Sequence, residues 1–526
     1  MNKRDITNMN FINHENSLTN NCAIVVCLFD STTENLAEIQ KNTQMQSLCI
    51  SSHDLYYKST RGEGDFVSLD NSLHTTAYPL LSKIPQSVTR IISCLEEAGF
   101  EAWIVGGFVR DALRNVAPHD ADIATNARWE TVAELARNQG CAVYETGTKH
   151  GTVTVVCDNY PLEITTFRSE APYKDHRHPS AVTFVSSITE DLARRDFTIN
   201  AMAFHPERGL VDPYNGQNDL QNRIIRCVGS PLQRFEEDAL RIVRALRFAS
   251  QLSFSLAIDT ENALFEKAPT LTQVAGERLS VELEGMLCGK NIRKVLVTYA
   301  EVLSPILPQL HKMKGFDQHN RWHIYDVLEH TACVVENTPA KPLVRWAALF
   351  HDAGKPDTFF RDKNGTGHMP GHPLASIDHL REAAKRFHFS RKKLHDLELL
   401  VRYHDDHPKP TRKDVCILFG KLEENDELFH VMCDLMRADA LGQAPFSHKR
   451  VNTINEVEQI FNDMRDEGAC LSAHDLPITG KDLIDLGVPA GPQVGLLLNE
   501  VFAAVANEKI EAERNALLTY AQKLIR

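Results

Sequence analysis

The sequence predicts an α+β protein: a small mixed sheet with helices packed on it, followed by an all-helical remainder. Three observations carry this. Short apolar runs bounded by turn residues, the pattern of strands, concentrate between 103 and 167. Beyond 236, apolar residues recur at helical spacing instead, as Leu240, Val243 and Leu246 do. A chain of 526 residues is also too long for one hydrophobic core, so roughly three or four domains are expected.

Composition narrows the class. With 43% hydrophobic and 24% charged residues, the chain is an ordinary soluble globular protein. The longest early apolar run, Cys22 to Phe29, is too short to span a bilayer and lacks a basic flank and a cleavage site, so neither membrane insertion nor export is expected. The 12 cysteines include no Cys-x-x-Cys, and Cys157 and Cys333 sit in apolar contexts; reduced thiols in a cytoplasmic protein are expected. A net charge of −13 argues against wholesale coating of nucleic acid, so a polyanion must meet a local patch. Residues 223 to 247 offer one, six arginines against three acids.

In chain order, residues 1 to 82 are polar and without period, and read as a poorly ordered extension. A helix begins near Ser87, with Val88, Ile91, Ile92 and Leu95 at helical spacing, and Gly99 stops it. Trp103, Ile104 and Val105 form a buried strand running into Gly106 and Gly107, and a helix starts near Phe108. A glycine pair alone marks a tight turn. It also lets backbone N–H groups approach a phosphate, with Arg110 one turn on to fork onto its oxygens. Asp120 and Asp122 follow, on one face of a strand and roughly 6 to 7 Å apart along it. Such carboxylates repel unless a cation joins them, and Mg²⁺ suits carboxylate oxygen. Alone, Asp-x-Asp is an exposed loop; after Gly-Gly-x-x-Arg and before an apolar strand exit, it reads as a metal pair.

A helix over 128 to 138 and strands over 141–144, 151–157 and 162–167 come next. Glu163 lies on the polar face of the last, as a third carboxylate of the metal cage or as the solvent face of an edge strand. The polar stretch 169 to 192, with Tyr173, His176, Arg177 and His178, has the length of a lid or a disordered segment. In 194 to 202, Asp196 or Thr198 reads as a helix cap and Arg195 as a contact to ribose or triphosphate. Residues 236 to 249 are expected to form one amphipathic helix whose row Arg241, Arg244 and Arg247 is either solvated surface or, with Asp238 beside Arg241, a donor and acceptor set able to read a base edge.

The motifs GGFVRD, HDADIAT, EITTFR, RRDFTINAMA and EEDALRIVRALRF, in this order, resemble the class II tRNA nucleotidyltransferases, the CCA-adding enzymes, and their relatives the bacterial poly(A) polymerases. The resemblance covers roughly 84 to 290 and implies a polymerase-β-like nucleotidyltransferase head followed by a helical neck. It implies that Asp120 and Asp122 hold catalytic Mg²⁺, that Gly107 and Arg110 contact the triphosphate, and that Arg195 contacts the incoming nucleotide. It further implies that Asp238 and Arg241 hydrogen-bond CTP or ATP as a protein template, supported by Arg244 and Arg247. The acceptor end of a tRNA would be the partner, and the 169–192 stretch, placed where the family carries a loop assisting the switch to ATP, leans toward full CCA addition. A poly(A) polymerase shares every head motif and is the near alternative.

From Trp322 the chain turns helical and histidine-rich. His330, then the adjacent His351 and Asp352, then a distant Asp439 offer imidazole and carboxylate ligands suited to a first-row divalent metal. This order resembles the HD phosphohydrolase superfamily, with Lys355 where a phosphate contact is expected, and it leaves a second alternative, an HD phosphohydrolase whose head only binds. His368, His372 and His404 either build a second site or are surface residues. Residues 446 to 526 are helical by period, with Val457, Ile460, Phe461 and Met464 as one stripe, and the basic stretch 381–413 is a candidate phosphate-tracking face. The expected domains are 1–82, an extension; 83–214, the head; 215–316, the neck; 317–445, the HD domain; and 446–526, a C-terminal body.

Overall fold

The computed structural model describes residues 48–50, 55–57, 67–69, 82–118, 120–170 and 182–525. Most of the predicted extension, and Tyr173, His176, Arg177 and His178 of the predicted lid, lie outside the described residues. Within 1 to 82, strands β1 (Leu48–Ile50), β2 (Leu55–Tyr57) and β3 (Val67–Leu69) pair as an antiparallel ribbon.

The head is built on a seven-stranded sheet. Its strands are β4 (Ala102–Val105), β5 (Ala121–Thr125), β6 (Ala142–Tyr144), β7 (Thr152–Cys157), β8 (Tyr160–Thr166), β11 (Ala203–His205) and β12 (Gly209–Val211), in the order β12-β11-β4-β5-β8-β7-β6. Only β5 and β8 run parallel; every other pair is antiparallel. Strands β9 (Arg168–Glu170) and β10 (Val182–Phe184) form a separate pair. The AWIV run of β4 is buried on both faces: Ala102 and Ile104 share a core with Val88, Ile91, Ile92 and Leu95 of the helix Gln86–Glu97, while Trp103 and Val105 enter a second core with Phe167, Ile188 and Leu192.

Three expectations need correction here. Strand β8 lies between β5 and β7, so Glu163 is not on an edge strand. The thiols of Cys141 and Cys157 are not both reduced. The hairpin register that sets Ala142 opposite Val156 brings Cys141 opposite Cys157, their Cα atoms 4.8 Å apart, and they form a disulfide. Seven other cysteines among the described residues are free, Cys333 included. Finally, 236 to 249 is not one helix. Helices Pro231–Glu237 and Leu240–Leu252 meet at Asp238, whose extended backbone breaks the run while its Oδ1 accepts the Leu240 N–H at 3.1 Å.

Past that break everything is helical apart from two-residue strands. A continuous core runs from the head sheet through helices Leu240–Leu252, Gly276–Leu287 and Ile292–Leu303 into the helices Val327–Asn337, Pro342–Phe350, Arg391–Tyr403 and Asp426–Gly442 that carry the histidines. In helix Arg450–Asp466 the expected stripe holds, with Val457, Phe461 and Met464 buried and Ile460 packed against them. A smaller core of Cys470, Leu476, Ile478, Leu483, Val488, Val501, Leu517 and Ala521 closes the C-terminal end.

Candidate functional site

The head site grows from the turn after β4. Gly106 adopts φ +71°, and a Cβ there would stand 3.1 Å from Arg195 Nη1 and 3.7 Å from Asp122 Oδ2, so backbone freedom and space both require glycine. Gly107 opens the helix Gly107–Leu113. Asp120 immediately precedes β5, Asp122 lies in it, and the parallel register sets Asp122 directly opposite Glu163 of β8, on the same face. Partial burial pushes the Asp122 carboxyl up to about 6; Arg195 opposes this, while Glu163 and Asp120 add to it. The site therefore lacks positive charge, which a divalent cation on carboxylate oxygens supplies, so these residues fit Mg²⁺. Among the described residues, the groups of three ligand atoms lying within 4.8 Å of one another are all in the histidine-rich region, so Asp120, Asp122 and Glu163 are more widely spread.

Arg195 is held in place by an acid of the preceding helix. Buried Asp191 binds Arg194 at 2.8 Å and Arg195 Nη2 at 3.2 Å, while the buried Nε of Arg195 has no hydrogen-bond partner. The sequence reading missed Asp191, although its spacing of three and four residues from the two arginines is a helical ion-pair signal. Arg110 stands at the same turn and is engaged by protein partners. Its fork binds Asp111 at 2.7 and 3.0 Å, its Nη1 donates to Asn200 at 2.8 Å, and its guanidinium lies over Phe248, so it clasps head to neck.

The arginine row is equally occupied. Arg241 donates to Glu237 at 2.5 Å and to the carbonyl of Arg194 at 3.2 Å, beside the Arg195 segment. The Asp238 carboxylate pairs with Arg278 at 2.6 Å, while its carbonyl accepts the Arg241 N–H at 3.0 Å. Arg244 binds Asp196 at 2.6 Å and Glu282 at 3.1 Å, and Arg247 binds Glu282 at 2.5 Å and stacks over Phe248. Burial raises the Asp196 carboxyl, but the charge and hydrogen bonds of Arg244 outweigh it and hold Asp196 down at about 2. The basic patch is thus largely neutralised by acids from elsewhere in the fold. The 381–413 face is partly so, through Arg381–Glu398, Lys392–Asp396, Lys393–Glu284 and Arg412–Glu467.

The second site is buried and prebuilt. His330 Nε2 lies 3.1 Å from Asp352 Oδ2, 3.2 Å from Asp439 Oδ1 and 3.2 Å from His351 Nε2; His351 Nε2 is 3.2 Å from the same Asp352 oxygen. On their other nitrogens, His330 donates to the Gly442 carbonyl and His351 to that of Ala348, which turns both Nε2 lone pairs inward. The pattern repeats: His372 and His404 donate from Nδ1 to Met369 and Val401, and their Nε2 atoms, 3.3 Å apart, face Asp352 Oδ1 at 3.3 and 3.6 Å. Asp352 thus presents one oxygen to each histidine pair, and its Oδ2 also meets the Lys355 ammonium at 2.6 Å. Burial pushes the His330 imidazole down, yet Asp352 and Asp439 outweigh it and hold it up at about 9, so the pocket binds positive charge as a proton if not as a metal. These residues fit one divalent ion or two.

His368 stands apart, exposed and paired with Asp362. His323, which sequence reasoning missed, joins the cluster beside His330 and Asp352, and its only advance signal was the local density of histidine. Lys355 Nζ sits 2.6 Å from Asp352.

A glycine turn and facing carboxylates on a mixed sheet, a helical neck and a buried histidine–aspartate centre define a nucleotidyltransferase with an HD domain. Family profiles agree: "Poly A polymerase head domain" matches 102–226, "Probable RNA and SrmB- binding site of polymerase A" 253–314, "HD domain" 322–444 and "tRNA nucleotidyltransferase domain 2 putative" 435–521. The chain belongs to the CCA-adding enzymes. It is 33% identical to that of Geobacillus thermodenitrificans over 440 residues, 83% of this chain and 96% of the relative. It is 46% identical to that of a Geobacillus species over 226 residues, 43% of this chain and 55% of the relative. Among solved structures, the Bacillus stearothermophilus CCA-adding enzyme in complex with CTP matches with a TM-score of 0.65 at 27% identity, covering 85% of this chain and 98% of that one. The Thermotoga maritima enzyme complexed with tRNA matches in fold, with a TM-score of 0.55 at 18% identity over 86% of this chain and 98% of that one. Among the described residues no helix is long and apolar enough to cross a membrane.

Proposed function

We propose that this chain adds or repairs the 3′-terminal CCA of tRNA from CTP and ATP in the cytoplasm, using a head at 83–214, a neck at 215–316, an HD domain at 317–445 and a C-terminal body at 446–526. The observation that carries the reading is the convergence of Asp122, Glu163 and Arg195 on the Gly106–Gly107 turn. Asp120 and Asp122, with Glu163 beside them, would hold Mg²⁺, which when bound would supply Lewis-acid polarisation of the α-phosphate and lower the pKa of the 3′-hydroxyl. Gly107 and Arg110 contact the triphosphate and Arg195, oriented by Asp191, the incoming nucleotide, with the Gly106–Gly107 turn giving Arg195 room to approach the backbone. Asp238 and Arg241 select the base, and Arg244 and Arg247 brace the neck on which they stand. Arg110 also locks that neck to the glycine helix.

The test is to incubate the protein with tRNA ending at its discriminator base, CTP, ATP and Mg²⁺, and to sequence the product ends. Ends completed to CCA support the reading; processive addition of A alone to arbitrary RNA would make it a poly(A) polymerase. The histidine centre supports a second, separate activity. Its buried Nε2 and carboxylate set, with Lys355 alongside, suits metal-dependent hydrolysis of a phosphate ester, tested by metal-dependent phosphate release that His351→Ala removes and Asp120→Ala does not.

A further inference from the structure

We propose that the open face of strands β8, β7 and β6 is a track for the unpaired 3′ end of an RNA substrate, with Tyr144 on the edge strand as its base-stacking residue. It rests on the nucleotidyltransferase reading and adds the path of the acceptor end. The registers of four neighbouring strands set one residue of each in line: Asp122 of β5 stands opposite Glu163 of β8, Glu163 opposite Thr154 of β7, and Thr154 opposite Tyr144 of β6. Directly paired residues project from the same face, so this row carries the face of the carboxylates outward to the sheet edge, roughly 14 Å away at three strand spacings. The opposite face is closed, with Val153, Val155, Leu162 and Ile164 all in the head core. On the row's own face Glu163 and Tyr144 are exposed, and the hydroxyls of Thr154 and Thr152 meet those of Thr146 and Thr165 at 3.2 and 3.0 Å.

The chemistry of this face selects a flexible single strand. Tyr144 is 56% exposed, and a large ring left in water on an edge strand has π-surface that a base covers favourably, whichever base it is. In the connection from β6 to β7, Lys149 is exposed on the short helix Thr148–His150 and supplies a cation for a phosphate. The threonine hydroxyls both donate and accept, as a ribose 2′-hydroxyl requires of its partner. The other substrate leaves this side free. The Gly106–Gly107 turn, with Arg195 beside it, follows β4 on one side of β5, whereas β8, β7 and β6 lie on the other. A triphosphate at the turn therefore leaves the far side to the strand whose terminal hydroxyl must meet it at Asp120 and Asp122. Because the row is longer than one stacked nucleotide, about 3.4 Å of rise, the base on Tyr144 belongs to a nucleotide behind the reacting terminus.

Steady-state incorporation by the full chain with Mg²⁺ tests this on two RNAs: a tRNA ending in CC, scored with ATP, and the same tRNA ending at its discriminator base, scored with CTP. Only the first has an unpaired end long enough to reach Tyr144 from the carboxylates. Tyr144→Ala is expected to raise the KM for the CC-ended RNA about tenfold, the factor one base stack gives. The KM for the shorter RNA, those for ATP and CTP, and the Tm should stay close to wild type. Tyr144→Phe, which keeps the ring, should restore the first value. Unchanged KM for the CC-ended RNA in Tyr144→Ala, an equal rise for both RNAs, or a rise confined to the triphosphates overturns the track. Fluorescence anisotropy of the same RNAs, labelled at the 5′ end and without triphosphate, separates this from the reading of the active site. If the wild type incorporates neither nucleotide, the nucleotidyltransferase reading falls; a loss of affinity in Tyr144→Ala for the CC-ended RNA alone then still upholds the track, and equal affinities overturn it.

Discussion

The head and the HD domain both gather acidic side chains, yet they do it in opposite ways. In the head, Asp120 and Glu163 are exposed and Asp122 is partly buried, on a sheet surface open to solvent. In the HD domain His330, His351, Asp352 and Asp439 are buried, and their unused ring nitrogens are tied to backbone carbonyls. The difference matches the two chemistries proposed for them. A site that must admit a triphosphate and an RNA end can afford only a partial cage, since substrate oxygens complete the coordination. A site whose ligands are imidazoles needs their tautomers fixed beforehand, which only burial and paired carbonyls provide.

The sharpest way to break this comparison is to disable one site and assay both. Asp120→Ala is expected to lower nucleotide incorporation roughly a thousandfold, the factor that ~4 kcal/mol of lost metal stabilisation gives, while divalent-ion binding to the histidine centre persists. His351→Ala should do the reverse. If His351→Ala abolished incorporation as well, the sites would not be independent and the division of labour would fail.

A smaller effect sharpens the picture of the second site. Because Asp352 offers Oδ2 to His330 and His351 and Oδ1 to His372 and His404, Asp352→Asn should weaken every divalent ion held there, by about tenfold to a hundredfold. His372→Ala should spare the His330 ion. Metal content by mass spectrometry after dialysis decides; identical losses in the two variants would dissolve the bridge.

Much of this was legible in the chain because it is local. The glycine turn, the Asp-x-Asp strand and the His351–Asp352 pair each sit within a few residues, where strand and helix periods fix the geometry. The illegible parts are long-range. That Glu163 faces Asp122 depends on the parallel pairing of β5 with β8, and that β8 is interior depends on the β7 hairpin. Asp238 looked like the partner of Arg241 by helical spacing, but Arg278, 40 positions on, claims it. Its break in the helix did have a local signal, since aspartate is a preferred residue just ahead of a helix. The arginine row read as charge, whereas Asp196 and Glu282 neutralise it from other elements.

That neutralised row predicts a stability effect. Asp196→Asn leaves half-buried Arg244 with only Glu282, which should cost about 1 to 3 kcal/mol and lower the Tm at neutral pH. Because Asp196 is held at about 2, below its ordinary 3.8, its contribution is full above pH ~4 and lost as pH falls toward ~2. The gap between wild type and variant should close over that interval, and a gap constant down to pH 2 would place the stabilisation elsewhere.

Asp122 carries the opposite sign, and the smallest effect. Its carboxyl is raised from 3.8 to about 6, so the fold favours the protonated form. The stability this gives is present below pH ~4 and lost as pH rises through ~6. Asp122→Asn removes that titration, so its Tm should match wild type near pH 4 and exceed it slightly near pH 8 in metal-free buffer. Added Mg²⁺ should then raise the wild-type Tm and not the variant's, because a cation meeting the ionised carboxylate supplies the missing charge. Calorimetric scans at both pH values, with and without Mg²⁺, check this; a Mg²⁺ response that survives in Asp122→Asn would take the ion away from β5 and make the open head site an electrostatic surface, with the buried centre the molecule's one built cation site.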